Sequence, residues 1–346
     1  MPRATSPRIR SVLAALWRLG LLVALVLAVR YAWLHETKDP VRFAGEPPHE
    51  LTVRQGESAE EIGEQLRTLG LVRHPAIFRA LVLMRGDGAR LKAGEYLFDG
   101  TLSLDGIVDK LVRGETARYD VTFPEGRTFE EMAELATAKG VDRAAFREAA
   151  LDPAAIHDLD PEATNLEGYL FPDTYDVTRR PDAKHLVARM VERFRGVVEP
   201  LRARLPERDM TLRQLVTLAS IVELETGRAE ERARIAAVFL NRLLNGMPLQ
   251  TDPTVIYALR LAGRWDGNIR KEDLLIDSPY NTYRQPGLPP GPIASPGREA
   301  LLAVIEPAAT KDLYFVSRND GTHEFSESLA EHERAVTRYQ RRRGGS

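Results

Sequence analysis

Apolar and polar positions follow three rhythms along this chain, and the changes of rhythm divide it. Ser11 to Trp33 is mostly Leu, Val and Ala, preceded by Arg3, Arg8 and Arg10. At about 1.5 Å per residue, such a stretch is just long enough to cross a ~30 Å hydrocarbon layer. Arg18 interrupts it, leaving Leu19 to Val29 as the unbroken run. In a bilayer the Arg18 side chain would snorkel toward the N-terminal headgroups. Trp17, Tyr31 and Trp33 suit an interfacial belt, and the leading basic cluster orients the span. Residues 1–10 are therefore expected in the cytoplasm, residues 11–34 across a membrane, and all that follows outside. A cleaved signal peptide and a buried soluble helix are the competing readings. Residues 35–50 carry charges, Gly45 and Pro47-Pro48, as a tether does.

Residues 51–113 change rhythm. Leu51-Thr52-Val53 alternates as a strand does. Ser58 with Glu61 makes a capping box for a helix whose inward stripe is Ile62, Leu66 and Leu69, and Gly70 stops it. His74 to Met84 is a second helix, Ala93 to Phe98 a strand, and Ser103 to Val112 a third helix. This strand–helix–helix–strand order resembles a LysM-like glycan-binding module; a packing unit that binds nothing is the alternative.

Residues 114–346 mix the two periods, which predicts an α+β domain. Arg118 to Pro124 is a strand and Phe129 to Lys139 a helix. Asn165 to Tyr175 is an ordered loop or short strand on a cleft wall, and Lys184 to Leu205 a long amphipathic helix. Thr211 and Gln214 form another capping box, opening a helix with Leu212, Leu215, Val216, Ala219 and Val222 on its buried stripe. Glu225 extends that stripe, whereas Glu223 lies about 200° and Leu224 about 100° away around the helix. Gly227 offers a stop. Arg228 to Leu244 is the next helix, and Asp252-Pro253 reads as an N-cap with a first-turn proline. Tyr280 to Gly297 holds five prolines in a long loop, of the kind that carries function. Ser295-Pro296 opens a helix through Ile305. Two paired strands follow around Asn319-Asp320-Gly321, Ser328 caps a last helix, and Arg341-Arg342-Arg343 frays.

Composition narrows the chemistry. With 48 Lys+Arg against 50 Asp+Glu the chain lacks the basic excess of a nucleic-acid binder. Having no Cys, it has neither disulfides nor thiolate metal sites. Its 7 His never fall as HExxH or HxH, so no metal and no organic cofactor are expected. Attention returns to the helix ending at Glu225. A carboxyl at the edge of a core, at a helix's negative end, keeps a proton to higher pH, as a proton-transfer catalyst requires. A salt bridge from Glu225 to Arg228 or Arg232 is the plainer reading.

Several segments in order resemble the endolytic murein transglycosylase (YceG-like) family. They are Glu167 to Tyr175, Ala219 to Thr226, Val238 to Leu243, Leu249 to Tyr257, Tyr280 to Tyr283 and Gly287 to Gly297. Many members carry Lys between the two acids, where this chain has Leu224. The resemblance implies an inner-membrane, single-pass enzyme whose catalytic domain is extracytoplasmic. It would cut nascent peptidoglycan strands internally between N-acetylmuramic acid and N-acetylglucosamine, leaving 1,6-anhydro ends, near the peptidoglycan synthases. It makes Glu225 the catalytic acid/base. Gln250, Thr251 and Asp252 then bind sugar hydroxyls or acetamido groups, with Asp252 also able to cap its helix. Asn281 orients the transition-state sugar. Tyr280 and Tyr283 stack on rings or lie in the core, and Glu167 and Asp173 line the far wall or cap loops. Glu223 is structural. The rivals are a muramidase using water, with Asp252 as its second acid, and a membrane-anchored glycan-binding scaffold with no activity.

Overall fold

The computed structural model describes residues 7–40, 49–117, 119–177 and 181–341, with the side chains of residues 7–15 and 341 excepted. The chain divides into two compact units, Met1–Arg118 and Tyr119–Ser346.

The first unit begins with a single helix, α1 (Pro7–Lys38). It runs past the expected end of the apolar stretch at residue 34. Within it Leu16–Lys38 is apolar enough to cross a membrane, with mean hydropathy 1.6; its Leu and Val side chains are exposed, and Trp33 packs against the core of the unit. Of the tether expected at 35–50, residues 41–48 lie outside the described residues. β1 (His49–Val53), α2 (Ala59–Thr68), α3 (Pro75–Arg85), β2 (Gly94–Phe98) and α4 (Leu104–Arg113) follow. β1 and β2 pair antiparallel, Leu51 opposite Tyr96. The expected Ser58–Glu61 box forms on α2, and Ser103 Oγ accepts from the Gly106 N–H at the start of α4. Leu51, Ile62, Leu66, Phe78, Phe98, Ile107 and Leu111 close one core. The strand–helix–helix–strand order is present.

The second unit holds β3 (Tyr119–Thr122), α5 (Phe129–Thr137), α6 (Arg143–Leu151), β4 (Thr174–Val177) and α7 (Ala183–Arg202). Next come α8 (Leu212–Glu225), α9 (Ala229–Leu244), α10 (Asp252–Leu261), α11 (Arg298–Ile305), β5 (Tyr314–Ser317), β6 (His323–Ser326) and α12 (Leu329–Val336). Two pairs are antiparallel: β5 with β6 as a hairpin, and β3 with β4 across a long connection that holds α5 and α6. α6 is a helix that apolar spacing does not announce, since it buries only Phe146 and Ala150.

α8 is the central element. Its nine residues Leu212 and Leu215–Val222 are all buried, so it is wrapped on every side. A Leu, Ile or Val side chain in such a place contributes about 1.5–3 kcal/mol, so the helix that ends at Glu225 is rigidly held. α11 and α9 pack against it. The proline-rich loop is pinned to α8: Ser220 Oγ accepts from the Ile293 N–H at 3.1 Å. Gly168 brings the Glu167 turn close to the same loop. It sits at φ +81°, and a Cβ there would come within 2.4 Å of Pro292 Cβ.

Three expected helix ends differ. α8 stops because Thr226 turns extended (φ −147°, ψ 134°), and Gly227 does not adopt a left-handed conformation. α10 takes Thr251 as its N-cap, with Asp252 as the first helical residue. The Thr251 hydroxyl is directed to Glu225, which leaves the helix start without a side-chain cap. α11 is capped by Gly297 in place of Ser295; the Gly297 N–H donates to Glu223 Oε2 at 2.9 Å, and Ser295 is buried against Arg127 and Met132.

Candidate active site

A cleft of about 380 Å³ opens at the C-terminal end of α8. Glu225 reaches it because it is the last helical residue of α8, three positions beyond buried Val222. Thr251 Oγ1 donates a hydrogen bond to Glu225 Oε1. Burial of the Glu225 carboxyl raises its pKa from the ordinary 4.5 to about 6. The Thr251 hydroxyl works against that rise, the Asp252 carboxylate adds to it, and His323 and Arg242 oppose it weakly. Desolvation therefore dominates, and the group exchanges its proton close to neutral pH.

The opposite wall comes from the turn between α9 and α10 and from the Tyr283 loop. Gln250 is exposed in the cleft and has φ +51°, a left-handed conformation that costs a non-glycine residue energy. Its N–H donates to Thr282 O at 3.1 Å, and the Thr251 N–H donates to Thr282 Oγ1 at 3.2 Å. Those bonds hold the strained turn. The Tyr283 hydroxyl donates to Asp252 Oδ1 at 2.6 Å, fixing that carboxylate at the rim. Of the expected site residues, the fold thus gathers Glu225, Gln250, Thr251, Asp252 and Tyr283 in one cleft.

Four others lie elsewhere. Asn281 is fully buried; its amide donates to Leu274 O and Ile276 O, and its oxygen accepts from the Tyr283 N–H. With its amide occupied in this way it shapes the Tyr283 loop and has no face for a sugar. Tyr280 packs its ring on Tyr257, with centroids 4.9 Å apart, and so takes the core alternative. Glu167 is buried beneath α5 and α10, accepting from the Phe129 N–H at 3.0 Å and the Tyr257 hydroxyl at 3.3 Å. It lines a different cavity from that of Glu225. Asp173 pairs with Arg193 at 2.8 Å. Glu223 accepts from Arg232 at 3.3 Å and from the Gly297 N–H, and Arg228 donates to Asp320 O and Gly321 O, so neither arginine proposed as a partner for Glu225 is bound to it.

The fold also adds residues that the expectations missed. Arg242 lines the cleft from α9, nearly buried, donating Nε to Leu313 O and Nη1 to Leu249 O at 2.7 and 2.8 Å. No carboxylate pairs with it among the described residues. The signal was present in the sequence, since Arg242 falls on the apolar face of α9, in helical register with Ile235, Val238 and Phe239. Phe315, Val316, His332 and Val336 complete the cleft from β5 and α12. His332 stacks on Tyr314 and its Nδ1 is buried without a partner. No grouping of His, Asp and Glu able to hold a metal occurs among the described residues.

A single desolvated carboxyl, tuned by one hydroxyl and faced by an amide, a carboxylate and a phenol, defines a protein built for acid–base chemistry on a polar substrate. Comparison with known proteins makes the class specific. The model of the YceG-like family matches residues 51–338. The chain is 32% identical over 322 residues to the endolytic murein transglycosylase of Bacillus subtilis, covering 87% of each chain. It is 31% identical over 320 residues to the endolytic murein transglycosylase of Streptococcus pneumoniae serotype 2, covering 83% of this chain and 57% of the relative. Among solved structures, a YceG-like protein from Listeria monocytogenes superposes with a TM-score of 0.58 at 32% identity, over 83% of this chain and 98% of that one. The chain belongs to the YceG-like family.

Proposed function

We propose that this protein is an endolytic murein transglycosylase that cleaves peptidoglycan glycan strands with Glu225 as its only acid/base. The observation that carries the reading is the half-buried Glu225 carboxyl, with its pKa near 6, in a cleft whose polar side chains match a sugar. Protonated Glu225 gives its proton to the glycosidic oxygen as the C1–O bond breaks. Positive charge then develops at C1, where the Asp252 carboxylate at the rim stabilises it. The muramic C6 hydroxyl attacks C1 and returns its proton to the Glu225 carboxylate. The product is a 1,6-anhydro end, and no water is consumed. Attack from within the same sugar ring profits from a high effective molarity, worth roughly 7 kcal/mol or more. Gln250 and Tyr283 orient the sugar, and Arg242 holds the turn that carries Gln250 and Thr251.

The α1 helix serves as a single-pass inner-membrane anchor, supported by its length and by the exposed apolar side chains of Leu19 to Val29. In this reading the catalytic unit acts outside the cytoplasm, where strands are polymerised, and close to peptidoglycan synthases. The first unit's two-stranded, helix-flanked fold serves as a LysM-like glycan contact.

A second reading has one observation in its favour. Asp252 is a second carboxylate in the Glu225 cleft, and a muramidase would use such a pair with a water molecule. Mass analysis of the products from uncrosslinked strands separates the two. Transglycosylation gives anhydro ends, whereas hydrolysis gives reducing ends heavier by one water. Reducing ends from fresh enzyme would replace the first reading by the second.

A further inference from the structure

Glu167, which the cleft does not use, lies at the floor of a larger cavity of about 800 Å³ between α5, α6 and α10. Phe129, Tyr257, Leu261 and the half-buried Trp265 supply an apolar and aromatic surface. Around it stand three matched ion pairs: Arg147 with Glu130 at 2.7 Å, Arg260 with Glu131 at 2.9 Å, and Arg143 with Glu134 at 3.1 Å. Each pair joins separate elements or helix faces and keeps its planar polar groups at the rim. The cavity therefore presents aromatic side chains and many hydrogen-bonding groups, with three rim acids matched by three arginines and Glu167 as a fourth acid buried beneath them. A strongly charged ligand gains little from such a balanced rim, whereas a neutral ring with one apolar face and many hydroxyls fits both parts.

α10 links this cavity to the catalytic cleft. Asp252 at its first position faces Glu225, while Tyr257, Arg260 and Leu261 at its far end line the cavity. From Asp252 to Arg260 the helix rises about 12 Å. We propose that the Trp265 cavity is a distal saccharide site that grips the glycan strand away from the bond being cut. This rests on the proposed strand-cleaving function and deepens it. A second grip on the same polymer favours long strands over short ones, because the two contacts act together.

The test uses full-length protein in detergent, carrying Glu225→Gln so that strands are bound without being cut. Affinity is measured for long uncrosslinked strands, the same strands stripped of stem peptides, and a tetrasaccharide. Adding Trp265→Ala is expected to weaken binding of both long ligands by about tenfold, the scale of one lost aromatic contact. The tetrasaccharide should bind unchanged, and Trp265→Phe should recover most of the loss. Unchanged affinity for long strands would overturn the proposal. So would equal weakening for the tetrasaccharide, which would place the effect in the Glu225 cleft or in folding. An effect that vanishes on peptide-stripped strands would assign the cavity to stem peptides instead. Failure of the catalytic reading shows separately, as wild-type protein that yields no cleaved strands while the affinity pattern persists.

Discussion

Replacing Thr251 by Val removes one hydroxyl from the candidate site and keeps nearly the same shape. The Thr251 hydroxyl donates to the Glu225 carboxylate and so favours its ionised form. Burial alone would push the carboxyl higher than the value of about 6 it adopts. Hydrogen bonds to charged groups contribute about 1.5–3 kcal/mol, and about 1.4 kcal/mol corresponds to one pH unit. Water in the open cleft will replace part of the lost bond, so the lower end of that range applies. The alkaline limb of the pH–rate profile should therefore move up by about 1 pH unit. Wild-type Glu225 is roughly one-tenth protonated at pH 7, and the variant's roughly one-half. At pH 8 the variant should outpace wild type by up to about tenfold if the plateau is held. The backbone contacts of Thr251 to Thr282 and Thr254 survive the exchange, so folding should be little affected. The assay is release of cleaved strands from uncrosslinked glycan at a series of pH values. A limb that stays in place, or moves to lower pH, would refute the idea that this hydroxyl tunes the acid.

Other expectations test the surrounding frame. Glu167→Gln removes a carboxyl that burial has raised to about 8. Its stabilising protonation is complete below about pH 4.5 and lost as pH rises through about 8, at up to about 1.4 kcal/mol per pH unit. Wild-type Tm should accordingly fall relative to that of Glu167→Gln between about pH 5 and pH 8, as followed by circular dichroism. Gly168→Ala forces a methyl against Pro292 from a left-handed backbone, and chemical denaturation should show a loss of about 3 kcal/mol. Glu223→Gln leaves Arg232 without its buried carboxylate, which should cost about 3 kcal/mol in denaturation while turnover per folded molecule is retained.

The helix period revealed α8 and the inward placement of Glu225, because a buried stripe is written in consecutive turns of one element. The Thr211 and Ser328 caps were legible for the same local reason. Asn281 and Tyr280 were not: polar and aromatic side chains in a loop read alike whether they face a cleft or hold the loop together. Only the neighbouring carbonyls of Leu274 and Ile276, and the ring of Tyr257, decide between these. Glu167 was expected on the far wall of the Glu225 cleft or as a loop cap; it lies under a different cavity, because the Phe129 N–H and the Tyr257 hydroxyl, both distant in sequence, hold its carboxyl there. His332 and Phe315 reach the cleft through the packing of β5 and α12, roughly 90 residues or more from Glu225, and local pattern carries no trace of that. Asp252 lost its capping role because the preceding Thr251 is held by Glu225, a tertiary contact that overrides a sound local signal.

The claim on which the rest depends is that one side chain both gives and takes the proton. Full-length Glu225→Gln, shown to be folded by its thermal transition, should be assayed on uncrosslinked strands beside wild type, with products weighed. The account predicts that the rate of anhydro-end formation falls by at least about a hundredfold, since Gln cannot transfer a proton. Anhydro ends released by the folded variant at near wild-type rate would contradict it.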